Sequence, residues 1–532
     1  MASARVGIVV CGSVLPAWQH RIVWELSQGE RAALALVVEL AGARARGTRG
    51  FVFRAYERID QRLFGAPRDA TTPVDATALL APVPRRSARA VRRSEGWDLA
   101  PRDLEALRGA QIDVLIQLGG GTLAGAVLDA ARLGVWTFAH DDDVRRGIAP
   151  LCAEVLRGDE VTETRLVART GAGERVLYRS WAGTNPNSLA RNRGAALWKS
   201  ADFVARALRG FEEGREPPFD GGPTLERTAP APRAPRARDV ARFAAASVMR
   251  VARNRSRLRH HERIWFVAIR RRRAEPLVDD ALDGFEPLSC PADRFHADPI
   301  LVHHRGAHHL FFEDGDRASG LGAIAWRPIG TDGRAGESRI VMRADHHLSY
   351  PFVFEWRGAH FMIPETSEKG TIEIHRATEF PLRWQLEKVL FRDVVAVDST
   401  VLEHGGRLWL FTAMSPGGGG LNDELFLFSA EHPLGDWTPH PANPIVSDVR
   451  RARPAGPLFW DAGALWRPGQ DCAADYGAAF WLSRVDALDA RSYRETPVRR
   501  IDASWTPGGV CTHTYARAGD FEVLDGRTWQ PR

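Results

Sequence analysis

The amino-acid sequence predicts an α/β domain followed by an all-β domain, because two different patterns divide the chain. In the first third, apolar strands such as VGIVVCG (from Val6) alternate with helical segments. That alternation is typical of a mostly parallel sheet with helices on both faces. In the second half, a phrase of strand, turn and strand recurs five times.

The length and the change of pattern set the predicted domain boundaries. A chain of 532 residues is too long for one hydrophobic core, so we expect more than one domain. We place the α/β domain at residues 1–211 and the all-β domain at residues 263–532. Residues 212–262 between them read as a Pro-, Ala- and Arg-rich linker followed by a basic helix.

The repeated phrase recurs at intervals of about 50 residues, the period of a β-propeller with one blade per copy. Its copies read DPILVHHRGAHHLFFED from Asp298, YPFVFEWRGAHFMIPET from Tyr350, DSTVLEHGGRLWLFTA from Asp398, AGPLFWDAGALWRPGQD from Ala455 and THTYARAGDFEVLDG from Thr512. We therefore predict an all-β five-bladed propeller, in which side chains near the inner strands converge on a central channel.

Composition argues against several classes of protein. No apolar run reaches about 18 residues, so no membrane-spanning helix is expected. The N-terminus lacks a basic segment followed by a long apolar one, so a signal peptide is not expected. Five scattered cysteines without CxxC spacing indicate reduced thiols in a bacterial cytoplasm rather than a disulfide framework or a zinc site.

Arginines are concentrated between residues 227 and 273, where fifteen of them accompany two acidic residues, although the net charge of the chain is only +6. The predicted basic helix carries a short apolar stripe that includes Val240, Phe243 and Val248. One interpretation is a peripheral contact with a membrane or a glycolipid, and the other is a stripe packed between domains with solvated arginines. No aromatic residues interleave the arginines, so nucleic-acid binding is not expected.

The segment IDVLIQLGGGTLAGAVLDAARLGVWTFAHDD, within residues 5–210, resembles the formyltransferase fold. In that family a strand of this kind leads to an Asn-x-His pair, with an aspartate further on. Thr137-Phe138-Ala139 stands at the first position, with His140 shifted by one, and Thr170-Gly171-Ala172-Gly173 at the second. The resemblance therefore implies the fold, while the missing groups argue against formyl transfer.

Two residues of this domain remain candidate site residues. His140 and Asp141 follow a predicted strand, and open α/β sheets bind ligands beyond the carboxyl ends of their strands. A solvated acidic loop is the alternative interpretation.

The repeated half resembles the N-terminal propeller region of plant glucosamine inositolphosphorylceramide transferases and, more distantly, the five-bladed furanosidases of glycoside hydrolase family 43. The resemblance rests on ADPILVHHRGAHHLFFED, HHLSYPFVFEWRGAHFMIPETS and AVDSTVLEHGGRLWLFTA. In the plant proteins a separate glycosyltransferase domain follows the propeller. What the resemblance implies is therefore the fold and an association with sugars.

Acidic residues at the ends of the repeats are the candidate catalytic groups, because glycoside chemistry needs two carboxyl groups beside the anomeric carbon. Asp298 stands in the Asp-Pro context that the resemblance assigns to a general base. We predict Asp298 as base, Glu365 as acid and Asp398 as the group that tunes their pKa values. The predicted substrate-binding residues are Glu313, Tyr350, Arg453, Asp471 and His513.

Two features of this assignment stay open. Tyr350 stands where a furanosidase has an aspartate, which weakens a direct transfer of roles. Each acid could also cap a blade by binding loop amides. No metal-ligand set is predicted, and the sequence indicates no particular cofactor.

The leading functional hypothesis is a cytoplasmic carbohydrate-active enzyme, at or near the inner membrane, that transfers sugar during assembly of a surface glycan or glycolipid. The expected partner is a sugar or an activated sugar. The alternatives are a formyl- or acyltransferase that modifies an amino sugar through the N-terminal domain, and a non-catalytic sugar-binding protein.

Overall fold

The fold was analysed in a computed structural model, which describes residues 4–29, 32–41, 50–66, 69–119, 121–140, 150–217, 219, 235–416 and 418–532. The chain divides into two compact units. Unit 1 comprises residues 1–220, 227–250 and 417–419, and unit 2 comprises residues 221–226, 251–416 and 420–532. Asp141 and linker residues 220–234 lie outside the described residues. Among the described helices, none has the length and apolarity needed to cross a membrane.

Unit 1 is an α/β unit, as predicted. Its strands are β1 Ala4–Val10, β2 Val14–Pro16, β3 Ala32–Ala41, β4 Pro73–Asp75, β5 Arg85–Arg92, β6 Trp97–Leu99, β7 Val114–Gln117, β8 Val135–Phe138, β9 Val161–Thr170 and β10 Gly173–Gly183. Its helices are α1 Ala17–Ser27, α2 Phe51–Phe64, α3 Thr77–Leu80, α4 Pro101–Gly109, α5 Ala153–Arg157, α6 Leu189–Ser200, α7 Phe203–Glu212 and the start of α8 Ala237–His260.

The main sheet of unit 1 is mixed rather than mostly parallel. Its order is β10-β9-β8-β7-β1-β3-β5-β6. The five central strands β8, β7, β1, β3 and β5 run parallel, whereas β6 pairs antiparallel at one edge and β9 and β10 at the other. The formyltransferase-like fold is not established by this topology and stays a prediction.

Successive residues of β1 explain why both faces of this sheet are covered. Ile8 packs into one core cluster with Trp18 of α1 and Phe203 of α7. Its neighbour Val9 packs into a second cluster with Leu104 of α4. Alternation of side chains along a strand thus provides two apolar faces.

Helix α8 matches the predicted basic helix. Its residues Val240 and Phe243 are buried in a cluster with Phe53 of α2. Val248, Met249 and Val251 are exposed. The first part of the predicted stripe is therefore packed within unit 1, and the second part faces solvent.

Unit 2 consists almost entirely of strands. They are β11 His261–Arg271, β12 Glu286–Pro287, β13 Arg294–His304, β14 Ala307–Asp316, β15 Gly322–Ile329, β16 Arg339–Met342, β17 Ser349–Trp356, β18 Ala359–Glu365, β19 Thr371–Glu379, β20 Arg383–Arg392, β21 Ala396–His404, β22 Arg407–Met414, β23 Leu425–Ala430, β24 Thr438–Pro439, β25 Phe459–Asp461, β26 Ala464–Asp471, β27 Ala479–Leu488, β28 Tyr493–Asp502, β29 Gly509–Cys511, β30 Tyr515–Ala518 and β31 Phe521–Pro531.

These strands form five separate sheets, which confirms the predicted five-bladed propeller. Four blades are consecutive antiparallel sheets, β13 to β16, β17 to β20, β21 to β24 and β25 to β28. The fifth joins the two ends of the unit, because β31 pairs with β11 from His261↔Pro531 to Arg271↔Phe521. The five copies of the repeated phrase form the hairpins β13–β14, β17–β18, β21–β22, β25–β26 and β30–β31.

Candidate active site

The first strands of three blades share one backbone irregularity at the predicted site residues. The pairing register shifts after Ala297 in β13, after Ser349 in β17 and after Val397 in β21. The next residues are Asp298, Tyr350 and Asp398, with φ angles of 51°, 41° and 54°. Left-handed backbone at a residue other than glycine costs on the order of 1–3 kcal/mol and is concentrated at functional sites. The repeat therefore maintains a strained bulge at three equivalent positions.

Asp298 lies at the contact of blades 1, 2 and 5. Its carboxylate accepts hydrogen bonds from Thr514 Oγ1 at 2.9 Å and from the backbone N–H of Tyr350 at 3.2 Å. Its own N–H donates to Asp525 Oδ2 at 3.2 Å. Burial and the nearby Asp525 raise the pKa of Asp298, although His513 opposes them. The side chain is buried and positioned from three directions.

His513 lies between two carboxylates. Its Nδ1 is 2.5 Å from Asp525 Oδ2, and its Nε2 is 3.5 Å from Asp298 Oδ1. The ring stacks on Trp265 with centroids 4.1 Å apart. Burial opposes the charged ring, but Asp525 and Asp298 outweigh it and raise the pKa of His513. The two carboxylates therefore favour the protonated form of His513.

Asp398 and Arg453 form a buried forked ion pair between blades 3 and 4. Arg453 donates from Nε to Oδ2 at 2.6 Å and from Nη2 to Oδ1 at 3.0 Å. Gln470 Nε2 adds a third hydrogen bond to Oδ2 at 2.7 Å. Burial raises the pKa of Asp398 to about 8, with Glu365 and Asp298 acting in the same direction and Arg453 against them.

Glu365, at the end of β18, joins the cluster through the same arginine. Its Oε2 is 3.4 Å from Arg453 Nη2, and its Oε1 accepts a hydrogen bond from Ser367 Oγ at 2.7 Å. Arg453 also donates from Nη1 to Asn422 Oδ1 at 3.1 Å. One guanidinium therefore binds two of the three predicted catalytic carboxylates.

Glu313, on β14, is the most perturbed carboxyl group of the cluster. It is 6% exposed, and His347 Nε2 lies 3.4 Å from its Oε1. Burial raises its pKa well above the ordinary value, and the negative charges of Asp298, Glu365, Asp525 and Asp398 add to the effect. Burial and the surrounding carboxyl groups therefore favour the protonated form of Glu313.

Tyr350 and Asp471 are placed differently from the other predicted residues. Tyr350 is fully buried, its hydroxyl accepts the N–H of Gly456 at 2.8 Å, and it lies 2.8 Å from Thr400 Oγ1. Its side chain thus connects blades 2, 3 and 4. Asp471 accepts hydrogen bonds from Arg500 Nε at 2.8 Å and from the N–H of Ala473, so its contacts lie outside the carboxylate cluster.

In unit 1, His140 is a core residue. It is 5% exposed and packs against the rings of Trp18 and Phe138, with centroids 5.5 Å away in both cases. Neither ring nitrogen has a hydrogen-bond partner among the described residues. Burial lowers the pKa of His140 to about 4, so the ring is neutral. Asp141, the other candidate site residue of this unit, lies outside the described residues.

Several residues of the cluster are not among those predicted from the sequence. Asp525 was overlooked because it lies in the middle of β31 rather than at a strand end. Its partner strand β11 supplies Trp265, which lies before the first repeat. Tyr476 lies in a loop, with its ring 4.9 Å from the Arg453 guanidinium. Only the recurrence of acidic residues in the last copy, EVLDG, could have indicated Asp525.

The cluster contains more carboxyl groups than cations. Asp298, Glu313, Glu365, Asp398 and Asp525 surround Arg453 and His513, and all five blades contribute. Since ionised carboxylates in one buried site repel each other, their pKa values rise, and that of Glu313 is raised well above its ordinary value. The arrangement can donate a proton from one carboxyl group, accept one at another, and stabilise positive charge between them.

Comparison with known proteins links this half of the chain to one family. Residues 283–513 match the family model "Glucosamine inositolphosphorylceramide transferase 1, N-terminal". The predicted resemblance is confirmed. Glucosamine inositolphosphorylceramide transferase 1 from Arabidopsis thaliana is 36% identical over 257 residues, which is 44% of this chain and 32% of the relative. The protein of the same name from Oryza sativa subsp. japonica is 38% identical over 208 residues, 38% of this chain and 28% of the relative.

The chain therefore spans about a third of the length of these relatives. Among solved structures, it is similar to the catalytic domain of Coprinopsis cinerea GH62 alpha-L-arabinofuranosidase, with a TM-score of 0.34 and 13% identity over 43% of this chain and 90% of that one. The GH43_1 enzyme from Xanthomonas citri gives a TM-score of 0.34 and 13% identity over 45% and 88%. Similarity at this level supports neither an activity nor a substrate.

Proposed function

We propose that the propeller unit is a carbohydrate-active enzyme that cleaves a glycosidic bond, or transfers the glycosyl group, at its carboxylate cluster. The observation that carries this proposal is the meeting of Asp298, Glu313 and Asp398 in one buried site, although 100 residues separate the first from the last. Paired carboxyl groups in different protonation states are the chemical requirement of glycoside chemistry.

Within this proposal Glu313 donates the proton to the leaving oxygen, and Asp298 acts on the opposite side as base or nucleophile. Glu313 is favoured over the predicted Glu365 because burial and the neighbouring carboxyl groups raise its pKa, as a general acid requires. Glu365 instead lies 3.4 Å from Nη2 of Arg453. Asp398 keeps its predicted tuning role, since it adds to the negative charge around Glu313.

The surplus of carboxyl groups in the cluster indicates which class of glycosyl donor the site would accept. A glycosyl transition state carries positive charge at the anomeric carbon, which surplus carboxylates stabilise. A diphosphate leaving group would meet the same surplus as repulsion, and the Arg453 guanidinium is already bound by Asp398. We therefore propose a neutral glycoside or an amino sugar as donor, rather than a nucleotide sugar. The name of the relatives, glucosamine inositolphosphorylceramide transferase 1, supports a glycolipid acceptor.

The test is a turnover screen on the intact chain with aryl glycosides, nucleotide sugars and glycosylated inositol lipids, followed by mass spectrometry. We expect conversion of a glycoside, and a loss of about 10²–10⁴-fold in kcat/KM for Glu313→Gln. Asp298→Asn should lose at least as much. Glu337→Gln, which changes an exposed glutamate of the same unit, is the matched control.

Two outcomes would contradict the proposal. Turnover of nucleotide sugars alone would overturn the proposed donor class. Sugar binding by wild type and by both variants, with no turnover of any donor, would indicate a sugar-binding protein instead.

We further propose that the chain acts in the cytoplasm at the inner membrane surface. Helix α8 carries Arg253, Arg255 and Arg259 on exposed positions, next to exposed Met249 and Val251. Exposed apolar groups beside arginines suit the interface of an anionic bilayer. A glycolipid acceptor would be found there.

A further inference from the structure

A second group of potential ligand side chains lies away from the carboxylate cluster, at the hairpins of blades 1 and 2. His304 is the last residue of β13, Glu355 lies near the end of β17, and His360 is the second residue of β18. His304 is six residues beyond Asp298 in β13. At about 3.3 Å per residue this is about 20 Å along the strand, so the group is separate from the cluster described above.

The three side chains point their polar atoms at one another. Oε2 of Glu355 is 3.3 Å from His304 Nδ1 and 3.6 Å from His360 Nε2. One ligand atom from each residue fits within 4.8 Å of the other two. Four ligands at about 2.0–2.1 Å in a tetrahedron around zinc are about 3.3 Å from each other. Two of the three distances in the group, 3.3 and 3.6 Å, are therefore close to those of such a site, and the third is within 4.8 Å.

The ring of His360 is held in place without using its Nε2. It is 6% exposed and stacks on Phe380 with centroids 3.8 Å apart and an interplanar angle of 20°. The His304 ring crosses it at 89°, with centroids 4.5 Å apart. Nε2 of His360 is buried and has no hydrogen-bond partner among the described residues. A buried imidazole nitrogen that makes no hydrogen bond is costly unless a ligand binds it. This atom is therefore the second indication of a site.

We propose that His304, Glu355 and His360 bind one zinc ion, which links blade 1 to blade 2. Two imidazoles with one carboxylate form a ligand set suited to zinc and other late transition metals, whereas calcium and magnesium require mostly oxygen ligands. The Glu355 side chain is 48% exposed, so the fourth coordination position is open to water. Because the ligands come from two blades, bound metal stabilises the folded unit by mass action.

The experiment uses the intact chain, stripped with EDTA and dialysed, and titrates it with zinc chloride in a calorimeter and in thermal melts. We expect one zinc per chain and a Tm that rises with zinc concentration. His304→Ala should abolish both effects, and Glu355→Gln should weaken binding at least tenfold. Both side chains are partly exposed, so neither change should prevent folding, which the melt without zinc verifies. Magnesium chloride should have no effect.

His303→Ala is the matched control, because His303 is the exposed neighbour of His304 on the same strand and is not part of the group. It should bind zinc as wild type does. Cobalt(II) provides an independent readout, since a site with few ligands gives intense visible bands and octahedral surface binding gives weak ones. Zinc binding that survives His304→Ala, equal loss in His303→Ala, or no effect of zinc on wild type would each overturn the proposal.

Discussion

Arg453 binds Asp398 through a forked contact, with Nε 2.6 Å from Oδ2 and Nη2 3.0 Å from Oδ1. The contact joins blades 3 and 4 in a buried site, where Glu365 also approaches the guanidinium. Since Arg453 is the cation that opposes protonation of Asp398, its removal should act through the charge of that aspartate.

We predict that Arg453→Met raises the pKa of Asp398 further, because the cation that opposes burial is lost, and lowers the free energy of unfolding by about 3–5 kcal/mol at a pH where Asp398 is ionised. The loss should shrink as the pH falls, because Asp398 then takes up a proton. Urea unfolding across a pH series measures it. In the double variant Arg453→Met/Asp398→Asn this loss should no longer depend on pH, and a loss that still varied with pH would show that another group is responsible.

We predict that Glu313 makes the stability of the propeller fall as the pH rises. Its folded-state pKa is raised above the ordinary 4.5, so its contribution is complete below about pH 4.5 and is lost as the pH rises through the folded value. Within that window the loss is about 1.4 kcal/mol per pH unit. Glu313→Gln should lack this slope in urea unfolding. The exposed control Glu337→Gln should retain it, and identical slopes in both variants would contradict the assignment.

We predict that Asp525 maintains the charge on His513. The folded-state pKa of His513 is raised above 6.5, so its stabilising contribution is present below that pH and lost as the pH rises through the raised value. Asp525→Asn should shift the titration of the ring to lower pH, as followed by the NMR signal of its Cε1 proton. Asp436→Asn changes a fully exposed aspartate and should leave the titration in place. An unshifted titration in Asp525→Asn would contradict the assignment.

We predict that the arginines of α8 bind the protein to anionic vesicles. Each arginine near such a surface contributes about 1 kcal/mol, so Arg253→Ala/Arg255→Ala should weaken binding to phosphatidylserine vesicles by roughly 30-fold. Co-sedimentation at low and high salt measures it. The control Arg334→Ala/Arg383→Ala removes two exposed arginines of the propeller. Equal weakening in both pairs would indicate nonspecific charge attraction.

We predict that Gly456→Ala destabilises the propeller more than other glycine replacements. Its φ is +114°, and an added Cβ would lie 1.9 Å from the carbonyl oxygen of Tyr515. Backbone would have to move, at a cost of about 2–4 kcal/mol. The control is Gly463→Ala, which also has a positive φ but no atom within 4 Å of the added Cβ. Similar unfolding free energies for the two variants would contradict the prediction.

The repeat was sufficient to predict the propeller, because each copy is a hairpin with alternating side chains and the copies recur at a blade period. The α/β character of unit 1 was also predictable from its apolar strands. The antiparallel hairpin β9–β10 was missed, since VTETRLVART reads as polar alternation without a β-turn signal as strong as Asn-Gly. The segment LAGAVLDAARLG forms only the 3₁₀ turn Ala126–Asp129, although its alanines and leucines favour an α-helix.

The site was predictable only where it coincides with strand starts. Asp298 and Asp398 were found because they begin repeats, and their bulges direct them into one cluster. The raised pKa of Glu313 depends on burial and on four other carboxyl groups from four blades, so no local sequence pattern could indicate it. The pairing of His304 with Glu355 and His360 likewise depends on the register of two adjacent blades.

The strand β31 has a consequence for how the protein is made. It closes the ring by pairing with β11, and the same strand carries Asp525, which holds His513 against Asp298. During synthesis on the ribosome, four blades can therefore form while the site is still incomplete. The proposed acid–base chemistry would begin only after the final strand emerges and docks, so a chain released before residue 525 is expected to lack the proposed activity.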